Sequence, residues 1–176
     1  ALDGSEKTVC MTRGNGRSSQ VSYRILYSNM DKEVFGADEK VYVLGVHHKD
    51  MSQSICQIDM KGNVRTLMHG DYMYNIKAFS ENHKYSLWVR QNVSTFPDLC
   101  HSTANFTNIK RVTDANPQQK EYVWGSVKIV EWKNYEGKQN RGLLYLPEGY
   151  DSKQTYPVIV QFYETHTEEK NHYIMP

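Results

Sequence analysis

Between Lys40 and Asn116 the chain alternates short apolar runs with clusters of turn-forming residues. The runs are Val41–Val46, Ser54–Asp59, Val64–Met68, Tyr74–Phe79, Tyr85–Arg90 and Thr107–Val112. Each is of strand length and rich in the β-branched and aromatic side chains that suit a pleated, half-buried surface. The separators His47–Gln53, Met60–Asn63, His69–Asp71, Ser80–Lys84 and Asn92–Asp98 are too short to hold a helical crossover, so sequential strands must pair antiparallel. Lys61-Gly62-Asn63 is a tight-turn signal, because Gly and Asn tolerate the positive φ of a two-residue hairpin, and Ile55–Leu67 is predicted as that hairpin. Ser80–Lys84 predicts a second one, with Ser, Asn and His supplying local hydrogen bonds. Successive hairpins at this spacing form a meander, and a four-stranded meander is the unit of a β-propeller blade.

The flanks read differently. Thr8–Thr12 and Val21–Tyr27 are predicted strands joined by the Gly-rich turn Arg13–Arg17, part of a preceding blade, with an awkward join over Ser28–Asp38. Near Asn116-Pro117 the composition shifts to the polar run Gln118-Gln119-Lys120, which marks a linker. Beyond it, Val127–Asn134 and Gly142–Leu146 flank a polar turn at Tyr135–Lys138 and predict another hairpin. Glu148–Thr155 reads as a surface loop, and Val158–Tyr163 as a continuous apolar strand buried on both faces. The division expected is residues 1–120 and residues 121–176.

Composition narrows the functional classes. Twenty-one Lys and Arg against twenty Asp and Glu give a net charge of +1, with the basic residues scattered singly, so no phosphate-tracking face and no nucleic-acid partner is expected. No apolar stretch approaches the roughly 20 residues of a spanning helix. The N-terminus, Ala1-Leu2-Asp3-Gly4, shows no leader pattern, so any export signal is expected to be removed or upstream. Cys10, Cys56 and Cys100 are odd in number and widely spaced, which predicts three small buried residues in place of a disulfide framework or zinc site.

Glu131-Trp132 followed by Tyr135-Glu136-Gly137, then Gly142-Leu143-Leu144-Tyr145-Leu146-Pro147 and Tyr156-Pro157-Val158-Ile159-Val160, resembles the propeller-to-hydrolase junction of the prolyl oligopeptidase family of serine peptidases. The likeness is to its dipeptidyl-peptidase and acylaminoacyl-peptidase branches, many of them exported. Upstream, Ile58-Asp59 before Gly62-Asn63 and Ala78-Phe79-Ser80 before Lys84-Tyr85 resemble repeats of that family's propeller. The resemblance implies a mainly β chain: a partial β-propeller of antiparallel meander blades, then the first strands of an α/β-hydrolase domain. It also implies a peptide substrate, no cofactor or metal, and export to the periplasm or exterior.

Acyl transfer at neutral pH needs a Ser activated by a His that an acid orients. In α/β-hydrolases the Ser occupies a Gly-x-Ser-x-Gly elbow, with acid and His later in the chain. No such elbow occurs in these 176 residues, so the triad is expected beyond Pro176 and this segment is expected to be inactive alone. The resemblance implies one catalytic group here: Tyr163, at the end of the strand Val158–Phe162, as a hydroxyl donor to the oxyanion. Glu164-Thr165-His166 departs from the family pattern by lacking Gly, and Tyr163 as a core or rim aromatic is the competing reading.

Other chemistry-bearing residues have ordinary readings. His47 and His48 are adjacent, so on a strand they face opposite ways and cannot readily share a metal ion. His166, Glu168, Glu169 and His172 have metal-ligand composition without the His-Glu-x-x-His spacing of helical zinc sites. Asn92-Val93-Ser94 and Asn105-Phe106-Thr107 are formal glycosylation acceptors, read as unmodified, and Trp88, Trp124 and Trp132 are read as core or inter-domain residues. A non-catalytic propeller-like or sandwich module is the alternative function. An unpaired edge at Val158–Tyr163 predicts pairing with a second copy or packing onto the chain's own blades.

Overall fold

The computed structural model describes residues 8–27, 35–36, 38–163 and 166–174. It is mainly β, and all strand pairs are antiparallel. A short helix, α1 (Asn15–Ser19), precedes the strands β1 (Val21–Tyr27), β2 (Lys40–His47), β3 (Gln53–Asp59) and β4 (Val64–Gly70), which form one sheet in chain order. A second sheet follows, again in chain order: β5 (Met73–Phe79), β6 (Tyr85–Gln91), β7 (Leu99–Thr103) and β8 (Lys110–Arg111). A 3₁₀ turn at Pro117–Glu121 leads to a separate hairpin of β9 (Ser126–Lys133) and β10 (Gln139–Leu146), and a second 3₁₀ turn spans Thr167–Asn171.

Most of the short apolar runs form strands, and the turns between them work through the side chains that mark them. Asn134 Oδ1 accepts from the amides of Glu136 and Lys138 at 3.0 and 2.9 Å, with Gly137 at φ +76° closing the β9–β10 turn. Ser80 Oγ accepts from the amides of Lys84 and Tyr85, Asn82 Oδ1 also from Lys84, and His83 contributes a left-handed φ of +51°. The β3–β4 turn is longer than the two residues expected. The Asp59 carboxylate gathers the amides of Lys61 and Asn63 and the Asn63 side chain, so the loop runs from Met60 to Asn63, with only Gly62 at positive φ (+86°).

Three expectations fail locally. Thr8–Thr12 forms no strand, and the Gly-rich stretch after it becomes α1, entered through Gly14 at φ +82° and left through Gln20 at φ +54°. Thr107–Val112 shrinks to the two-residue β8, because Phe106 and Asn108 adopt φ of +58° and +54°, which a pleated strand cannot accommodate. β7 was not foreseen: its inward residues are Cys100 and Ser102, too polar in appearance to register as an apolar run. The join at Ser28–Asp38 lies largely outside the described residues.

The larger failure is Val158–Tyr163. It forms no strand, and Ile159 is 97% and Phe162 87% exposed. A strand exists only where neighbouring strands accept its backbone hydrogen bonds and layers cover its faces. Among the described residues neither is present beside this run, so an apolar sequence remains an irregular, solvated segment. After Ser126 the described residues form a single antiparallel hairpin, β9–β10, whose residues are half-buried at most, in place of the several strands expected there.

The two four-stranded sheets share one core. Ile55 of β3, Tyr74 of β5, Trp88 of β6, Cys100 of β7 and Phe106 form it, with Tyr42, Leu44, Met68 and Phe79 packed around them. On the other face of the first sheet, Val41, Val43, Cys56 and Ile58 pack with Tyr23, Met60 and Val64. Gln53 Oε1 accepts the Tyr74 amide at 2.9 Å, joining the sheets through a hydrogen bond. A side chain on Gly70 would meet the Tyr74 hydroxyl at 2.7 Å, so a larger residue there would displace the Tyr74 ring.

Candidate functional site

Tyr163 sits in a bend at the end of the solvated run, 76% exposed. Among the described residues it has no hydrogen-bond partner, and Glu164 and Thr165, where the departure from the family pattern begins, lie outside them. The chain nevertheless turns back just beyond. Lys170, 9% exposed, donates to Asp71 Oδ1 at 2.6 Å, and Asn171, 3% exposed, donates to the same oxygen and to the Met51 carbonyl. Tyr173 packs edge-on against Phe96 and beside Trp124 while its hydroxyl accepts from Asn116 Nδ2 at 3.0 Å. The expected packing onto the chain's own sheets is thus made by this polar segment and not by the apolar run.

The other sequence candidates separate. His166 Nδ1 pairs with Glu169 at 3.1 Å, while Glu168 bonds Arg24 at 2.8 Å, so two neighbouring carboxylates face different partners. Among the described residues no three His, Cys, Asp or Glu side chains gather as a metal site. His48 bonds Ser22 Oγ at 2.6 Å, whereas His47 stacks edge-on with His69 at 4.7 Å. His47 Nε2 also lies 3.1 Å from Ser54 Oγ, a nucleophile–base distance. Ser54 is 2% exposed on the buried strand β3, out of reach of a substrate, and Asp50 is engaged by the Ser52 amide and hydroxyl. The pair is structural.

Among the tryptophans, Trp88 is fully buried and Trp124 half-buried, its Nε1 donating to the Gln119 carbonyl at 3.0 Å. Trp132 departs from the core reading: it is 49% exposed and lies over Gly142 on the paired strand, because the hairpin has no layer on that face. Cys56 and Cys100 are buried as expected, but Cys10 is exposed, since the segment predicted as a strand is a surface turn. The Thr12 hydroxyl beside it holds that thiol below its ordinary pKa. Asn105 is exposed, while Asn92 is half-buried with its side-chain oxygen accepting from the Ser94 amide.

A half-open cleft of about 380 Å³ lies where β6, β7 and β8 meet the linker. The sequence does not announce it, because its residues come from two strand runs, the separator Asn92–Asp98, the unforeseen β7 and the linker, and only the fold brings them together. Arg90 enters from β6, Arg111 from β8 and Lys120 from the Pro117–Glu121 turn, with Phe96, Ile109 and Pro117 as apolar wall. Asp98, buried to 8% exposure, closes one side: its Oδ1 accepts from Thr113 Oγ1 at 2.7 Å and the Ala115 amide at 2.9 Å. Arg111 lies 3.5 Å from Asp98 and 2.9 Å from Asp114. The Arg90 guanidinium stacks 4.8 Å above the Tyr72 ring.

No family model matches this chain, and no curated protein matches it. Among solved structures it is similar to the AtxE2 isopeptidase, in a serine-to-alanine variant with Astexin3-dC4 bound, at 16% identity and a TM-score of 0.50. The match covers 70% of this chain and 19% of that one, so the chain spans about a fifth of that structure's length. At that identity the likeness is one of fold.

Proposed function

We propose that this chain is the propeller-to-hydrolase junction of an exported serine peptidase of the prolyl oligopeptidase family, which cleaves peptides through a Ser-His-Asp triad carried outside these residues. The observation that carries the reading is the order of parts. Two four-stranded meanders are followed, through the Pro117–Glu121 turn, by a hairpin bearing Glu131-Trp132 and Gly142–Pro147, and then by the apolar run 158–163. The fold likeness to a solved isopeptidase agrees with it.

In this reading the meanders are blades that restrict access of peptides to the catalytic centre. The β9–β10 hairpin opens the catalytic domain, and 158–163 becomes a strand once later strands pair with it. Tyr163 then donates its hydroxyl to the oxyanion of the tetrahedral intermediate. Where those later strands are lacking, the apolar run recruits a second copy of the chain. A plain binding module, the alternative, has no use for such a run after the hairpin.

Two measurements test the proposal. The coding sequence after codon 176 is expected to encode Gly-x-Ser-x-Gly within about a hundred residues, followed by an Asp and a His. A fluorophosphonate is expected to label the full-length protein and not residues 1–176 alone. A coding sequence lacking the elbow leaves the binding module standing, and labelling of the segment itself contradicts the absence of an activated Ser.

A further inference from the structure

The cleft beside β8 has an imbalance of partners. Asp98 is engaged by Thr113, Ala115 and Arg111, and Asp114 by Arg111, so both carboxylates at the cleft are answered. Arg90 and Lys120 are not: among the described residues neither has a carboxylate partner. Arg90 is half-buried and lines the cleft, with its guanidinium 4.8 Å from the centre of the Tyr72 ring. A planar guanidinium matches the two oxygens of a carboxylate.

The remaining lining narrows the ligand further. Gln119 Nε2 donates to the Ser94 carbonyl, and Asn116 Nδ2 to the Tyr173 hydroxyl. Those contacts fix both amide groups by their nitrogen ends and leave both side-chain oxygens, among the described residues, without a donor. Acceptors of fixed orientation suit amide N–H groups. Phe96 and Ile109 add apolar surface, with Ile109 44% exposed. A volume near 380 Å³ is that of a small-ligand site.

We infer that this cleft binds the C-terminal end of a peptide: the terminal carboxylate on Arg90 and Lys120, a backbone amide on Asn116 or Gln119, and an apolar last side chain against Phe96 and Ile109. The inference does not depend on the peptidase reading, since the site is complete without a nucleophile.

The test is isothermal titration of the full chain with N-acetyl-Ala-Ala-Leu as the free acid, at neutral pH and low salt, alongside its C-terminal amide and acetate. The acid is expected to bind, with affinity falling as salt rises, and the amide to bind at least about tenfold more weakly, as the loss of a charge-assisted pair implies. Arg90→Gln is expected to weaken binding about tenfold, and Lys120→Gln, on an exposed turn where folding is not at stake, about threefold. No binding by the acid, equal binding by the amide, or wild-type affinity in K120Q and R90Q together overturns the inference. Acetate that displaces the tripeptide at equal concentration overturns its assignment to a peptide.

Discussion

The buried polar pair at the centre of the second sheet yields a quantitative prediction. Trp88 is fully buried, and its Nε1–H donates to Ser102 Oγ at 3.0 Å. Ser102, equally buried, donates onward to the Thr103 carbonyl at 2.9 Å, and the Ser86 hydroxyl lies 2.9 Å away as a second donor to Ser102. Trp88→Phe removes one hydrogen bond, about 1 kcal/mol, and leaves roughly 40 Å³ unfilled at about 24 cal/mol per Å³, about 1 kcal/mol more. It orphans no donor, because the indole N–H departs with the ring. The expected cost is about 2 kcal/mol.

Ser102→Ala acts in the opposite sense: it leaves the indole N–H buried without an acceptor, at about 1–3 kcal/mol. The Thr103 carbonyl, which loses the Ser102 hydroxyl, can take up the Ser86 hydroxyl 3.2 Å away, since Ser86 no longer has Ser102 Oγ to donate to. In the Trp88→Phe background no N–H remains to be orphaned, so Ser102→Ala should cost at least about 1 kcal/mol less there. Urea unfolding followed by far-ultraviolet circular dichroism, which does not rely on the altered fluorophore, measures the cycle. Costs that add within about 0.3 kcal/mol would refute the assigned hydrogen bond.

On the proposed peptidase reading, Tyr163→Phe in the longer protein is expected to lower kcat by about 10²–10³-fold with KM little changed, and steady-state rates equal to wild type would remove Tyr163 from the oxyanion. Burial, with His69 beside it, lowers the His47 pKa. The folded state therefore takes up a proton less readily than the unfolded chain, and stability is intact above about pH 6.5 and declines below it. Burial pulls the Asp50 carboxyl up, but the Ser52 hydroxyl and amide outweigh it and hold the pKa low, so its contribution is lost only as pH falls below about 3.8. Unfolding midpoints at about pH 7.5 and about pH 5.5 should differ, the gap narrowing in His69→Gln; an unchanged gap would show that His69 does not act on His47.

What could be read in advance followed locality. A strand whose inward residues are Val, Ile and Tyr, closed by Asn134, Asp59 or Ser80, announces itself, since the pattern and the turn donors lie within a few positions. β7 did not, because Cys100 and Ser102 are buried by partners on β6, at Trp88 and Ser86, that only the register brings opposite. The cleft escaped for the same reason. Arg90, Arg111 and Lys120 lie far apart in sequence, and the fold brings them to one cleft.

Val158–Tyr163 marks the limit from the other side. Its sequence is among the strongest strand signals in the chain, yet its residues are among the most exposed, with Val158 at 72%, Val160 at 75% and Ile159 at 97%. Meanwhile Thr167–Asn171, with nothing in its composition to suggest burial, docks through Lys170 and Asn171 onto Asp71 and Met51. Propensity states which backbone shape a run will accept; pairing decides whether the shape forms. The polar turn docks because its partners, Asp71 and the Met51 carbonyl, are at hand beside the first sheet. The apolar run lacks a strand edge beside it, so supplying one should convert it. Hydrogen exchange across residues 158–163 is expected to be fast in residues 1–176 alone and slowed by at least about a hundredfold in the full-length protein, and equally fast exchange in both would sink the assignment of this run to a sheet.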